Sequence, residues 1–191
     1  MTDNGKLCGD ADMRQLVTLA NTDPGAAVAA IDALLGHFPE DARLHFLKGS
    51  MLVGLKRFIG AHTALSNAVR LDPDFQIARF QLGFFELTSG EADNAIATWA
   101  PLKVLPERHW IRHFVDGLEH LAADRFEACI EDLRAGIAAN SENLPLNGDM
   151  QLIIGKCEEL LDKAGVARGE VGGAVSATSF LLGNTGGRRR H

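Results

Sequence analysis

His109, His113, Asp116 and His120 step along the chain by four, three and four residues. On a helix that spacing sets four side chains with metal-binding or proton-transfer chemistry along one face. A tetrahedral ion needs ligands around it, whereas one helix supplies them from one side only, so the strip alone makes no metal centre. His113, Asp116 and His120 also stand 34 residues beyond Arg79, Leu82 and Glu86, which marks their positions as tolerant of mixed chemistry and the face as ordinary polar packing. A nucleophile elbow, a phosphate-cradling glycine loop before a helix, HExxH and a dinucleotide fingerprint are all missing from the sequence. The expectation is a non-catalytic protein without a cofactor. A metal-binding protein using His109, His113 and His120 is the alternative.

The elements that would carry these residues follow one interval. Gly49, Gly83 and Gly117 are 34 residues apart, as are Ala61, Ala95 and Cys129, and again Leu65, Trp99 and Leu133. Upstream, Ala27, Ile31 and Leu34 precede Ala61, Leu65 and Ala68 by the same step. Glycine inside a helix costs about 1 kcal/mol, so its recurrence points to a close helix crossing. The stretch Ala78 to Trp99, AxxQLGxxxLxxGxxxxAIxxW, carries the pattern in full.

That interval and those residues resemble the tetratricopeptide repeat. The resemblance covers about residues 8 to 143 and implies an all-α, right-handed solenoid of about four helix pairs, at residues 8–41, 42–75, 76–109 and 110–143. Residues 148–164 read as an amphipathic capping helix with Ile153, Cys157, Leu160 and Leu161 on its apolar side, completing a domain over residues 1–165. Asp23 before Pro24 signals a helix start. Pro101 predicts a bend or early helix end near Ala97 to Pro101. Asp124 takes the turn position that Gly90 takes one copy earlier. Residues 166–191 form a glycine-rich, arginine-ended tail, expected to be flexible, with an apolar island at 175–182 that includes Phe180, Leu181 and Leu182.

The chain's net charge of −6 is uneven. The tail carries +3, leaving −9 on the remainder, which repels phosphate backbones and disfavours nucleic acid as a partner. Cys8, Cys129 and Cys157 share no metal-type spacing and read as reduced thiols. No secretory signal or membrane-spanning run is apparent, so the expected location is cytoplasmic.

In the resembled family the first helix of each pair lines a concave surface that holds the ligand. Here that stripe reads Phe46 and Val53, then Ile77, Phe80, Phe84 and Leu87, then Ile111, Phe114, Leu118 and Leu121. The lysines, arginines and asparagines with which some members clamp a terminal carboxylate are missing from it. The expected function is an adaptor or chaperone-like protein that holds a hydrophobic peptide or helix in an apolar groove. The occupant would be another protein, a second copy, or the chain's own Phe180, Leu181 and Leu182. A structural subunit of a larger assembly is a further reading.

Overall fold

The computed structural model describes residues 7–167. Over these the chain is all-α: α1 (Asp10–Thr22), α2 (Pro24–Leu35), α3 (Ala42–Gly54), α4 (Phe58–Leu71), α5 (Gln76–Thr88), α6 (Ala92–Trp99), a 3-10 turn (Ala100–Val104), α7 (Trp110–Ala122), α8 (Phe126–Ala139) and α9 (Leu144–Ala167). It divides within α5 into two compact units, Met1–Leu82 and Gly83–His191. The apolar island at 175–182 lies outside the described residues.

The local signals act as their chemistry requires. Asp23 accepts a hydrogen bond from the Ala26 N–H at 2.9 Å and Pro24 opens α2, where a missing N–H costs nothing. Between the helices of successive pairs, Lys56 (φ 57°), Gly90 (φ 86°) and Asp124 (φ 57°) all take the left-handed conformation, again at 34-residue steps. Only one of the three is glycine, so the turn geometry is imposed by the packing of the flanking helices. Helix α6 stops at Trp99, and Pro101 sits at the start of the 3-10 turn that follows, as its lack of an N–H predicts.

Two of the sequence series prove to be one contact. A Cβ at Gly49 would lie 2.7 Å from Leu65 Cγ, and one at Gly117 2.8 Å from Leu133 Cδ2. At Gly83 it would overlap the indole ring of Trp99. Each glycine therefore admits the large residue 16 positions on, and Leu65, Trp99 and Leu133 are fully buried. Gly83→Ala is expected to destabilise the second unit by about 1–3 kcal/mol, since a rigid indole cannot step aside. At Gly148 nothing lies within 4 Å of an added Cβ, so Gly148→Ala should instead stabilise by about 1 kcal/mol through helix propensity. Urea titrations of both variants check the opposite signs.

In the first unit, Cys8, Leu16, Ile31 and Leu44 form a buried cluster that ties the N-terminal segment to α1, α2 and α3. Asp41, also fully buried, closes it: the Cys8 N–H donates to its Oδ2 at 2.9 Å, and the Arg43 N–H and Nε each donate to its Oδ1 at 3.0 Å. In the second unit α9 packs on α8 through Leu146, Met150, Ile154, Cys157 and Leu160. It starts at Leu144, four residues before the expected 148, because Pro145 fits the first turn of a helix as well as a loop. Ile154, one position from the expected Ile153, centres its buried side.

Candidate interaction surface

The histidine strip is divided between two ion-pair systems of the second unit. His109 caps α7, its Nδ1 accepting from the Ile111 N–H at 3.2 Å while its ring stacks on Trp110. His113 and His120 turn toward α8 and flank one carboxylate, with His113 Nδ1 3.7 Å from Asp132 Oδ1 and His120 Nε2 3.3 Å from Asp132 Oδ2. Asp116 turns the other way, to Arg112 Nε at 2.7 Å and Lys103 Nζ at 3.3 Å. Lys103 also pairs with Glu119, and Arg112 donates to the Lys103 carbonyl. Burial pulls the Lys103 ammonium down, but the Glu119 and Asp116 carboxylates more than offset it and leave its pKa above the ordinary lysine value. These pairs hold the 3-10 turn and α8 against α7. Among the described residues no three acidic, histidine or cysteine side chains converge as a metal site.

The apolar stripe divides as well. Ile111, Phe114, Leu118 and Leu121 are all buried, so their assignment to an open groove is corrected to core. The physical reason is visible at Phe114: a Cβ at Gly136 of α8 would fall on its ring, so the missing side chain makes the space the phenyl group fills. Trp110 meets the same ring edge-on at 5.6 Å. Phe80 and Leu87 are buried too and are corrected in the same way, since surface that water does not reach yields nothing on binding a peptide. Phe84 keeps partial exposure.

In the first unit the stripe stays open on either side of the buried Phe80. Phe46 and Val53 on α3 and Ile77 on α5 are all partly exposed. The Phe46 and Phe75 rings lie 5.1 Å apart, and Ser50 Oγ donates to Gln81 Oε1 at 3.3 Å, so α3 touches α5 and the residue before it at these two points. The result is a small surface of aromatic and branched side chains with a hydroxyl–amide pair in its middle.

A tetratricopeptide-repeat family model matches residues 17–61, which span the end of α1 to the start of α4. The fold matches solved structures of MamA over most of both chains. Residues 41 to the end of MamA from Desulfovibrio magneticus RS-1 are 15% identical, with a TM-score of 0.57, covering 87% of this chain and 100% of that one. The tetratricopeptide-repeat match is thus to one segment, and the fold of the chain agrees with it. A double mutant of RS-1 MamA gives 14% identity and a TM-score of 0.56, covering 82% and 99%. At such identities the likeness speaks for the fold alone. No curated protein sequence matches the chain.

Within this all-α chain the sequence pattern missed two features. Phe75 joins the open surface from just before α5, outside the three-four-three stripe; the aromatic directly after Asp72-Pro73-Asp74 was the available signal. A second exposed group, Phe58 (47%) and Ile59 (89%), opens α4 beside a cavity of about 540 Å³ lined by Val28, Asp32, Lys48 and Leu52. Lys48 bridges to Asp32 across it at 2.6 Å. No helix among the described residues is long and apolar enough to cross a membrane.

Proposed function

We propose that this repeat protein is a non-catalytic interaction scaffold, adaptor or chaperone-like in use, whose first unit holds an apolar segment of another protein against Phe46, Val53 and Ile77. The observation that carries the reading is selective exposure. The stripe is sealed along α7, yet stays open where α3 meets α5, with a ring pair and a polar pair ready to fix an occupant. Covering these half-exposed side chains gains roughly 1 kcal/mol each, most of which the ordering of a peptide offsets. Recognition of a single segment by this surface is therefore weak, and reversible.

A displayed library of random peptides tests it. Selection on the whole protein should enrich sequences with two closely spaced large apolar residues, and their affinity should fall at least ~10-fold on Phe46→Asp/Ile77→Asp. Equal binding to a folded double variant would remove this surface as the site. Repeating the titration without residues 166–191 addresses the Phe180-Leu181-Leu182 island: tighter peptide binding marks the island as a competitor, and unchanged binding discards that role.

A further inference from the structure

We propose that Cys129 and Cys157 form an oxidative modification site, closing into a disulfide that ties α9 to α8. The two residues lie 28 positions apart in sequence, yet their sulfurs meet at 3.8 Å in the fully buried seam between these helices. A disulfide needs about 2.05 Å, a shortening that rotation of two side chains on facing helices can divide between them. Of the elements in the second unit α9 packs chiefly on α8, so the outermost helix is the one whose opening admits a small oxidant.

The pair is also chemically unequal. The hydrogen bond to Cys129 holds the Cys157 thiol below its ordinary value, against the opposing effect of burial. Its counterpart is pushed far above by the same hydrogen bond and by burial. Cys157 is therefore the sulfur that loses its proton first and attacks. With hydrogen peroxide the Cys157 thiolate takes one oxygen as the O–O bond breaks, giving a sulfenic acid and hydroxide. Cys129 then attacks that sulfur, the S–S bond forms, and the S–OH bond breaks. Two thiols have lost two electrons and two protons, and the hydroxide and the departing oxygen leave as two waters. Among the described residues the Cys8 thiol meets no other sulfur: it donates to Gly9 and Asp12, and burial, followed by the Asp12 and Asp41 carboxylates, raises its pKa.

Treating the full chain with peroxide, then denaturing it in alkylating agent before proteolysis and mass spectrometry, decides the matter. Wild type and Cys8→Ser are expected to yield a peptide pair joined through residues 129 and 157 that separates on reduction, while Cys157→Ser yields none. Amide exchange across α9 should slow at least ~10-fold in the oxidised protein, because the link forbids its separate opening. Three alkylatable thiols persisting in wild type after treatment both in buffer and in mild urea, or a link that involves Cys8, would overturn the proposal.

Discussion

Asp41→Ala is expected to lower the stability of the first unit by about 3 kcal/mol, the low end of the roughly 3–5 kcal/mol seen when one member of a buried ion pair is deleted. The carboxylate is wholly buried, while the Arg43 side chain is 34% exposed and regains some water when its partner goes. The Cys8 N–H does not, because it lies in a buried hydrogen bond to Asp41. The variant leaves that donor unsatisfied and frees the N-terminal segment from α3. Both tryptophans, Trp99 and Trp110, belong to the second unit, so neither reports from within the first. Amide exchange over 10–54 is the suitable readout.

The same group sets an acid dependence. Burial raises the Asp41 pKa, but hydrogen bonds from the Arg43 side chain and from the Cys8 and Arg43 N–H groups outweigh it, and the net value lies below the ordinary 3.8. A carboxyl depressed on folding contributes stability that is complete above its unfolded pKa and is lost as pH falls through the folded one. The first unit of wild type should therefore weaken below about pH 4, and Asp41→Asn should be less stable near neutrality yet lose less on acidification.

Phe114→Ala is expected to cost about 3–5 kcal/mol, and Phe46→Ala about 1 kcal/mol or less. The two residues occupy equivalent repeat positions, 68 apart, and differ in what the partner helix offers. Phe114 enters the space left by Gly136, whereas Ala68 holds that position in the copy that carries Phe46. Truncating Phe114 leaves a cavity between α7 and α8 and removes the edge of Trp110, so tryptophan fluorescence in urea follows the loss directly. Comparable costs at both sites would mean that exposure does not distinguish them.

This pair shows where sequence reasoning stops. Fixed 34-residue spacing makes the helix pairs, their crossings and the early end at Pro101 readable, because each depends on a residue and a neighbour at constant distance. Whether a stripe at steps of three and four is groove or core depends on residues outside the stripe. The glycine at 136 that seals Phe114 belongs to a position filled by Leu34, Ala68 and Leu102 in the other copies, so no periodic signal announces it. The histidine strip, expected as a polar packing face, shows a similar limit in its detail. Helical spacing puts its members on one face, but that face is wide enough for His113 and His120 to reach Asp132 while Asp116 reaches Lys103 on the other side.

Hydroxyl-radical footprinting of the whole protein, free and bound to a peptide selected on it, tests the account most directly. Phe46, Phe75 and Ile77 should be oxidised in the free protein and protected by the peptide, with Phe114 untouched in both states. Oxidation of Phe114 as fast as that of Phe46, or peptide protection that spares α3 and α5, would contradict it.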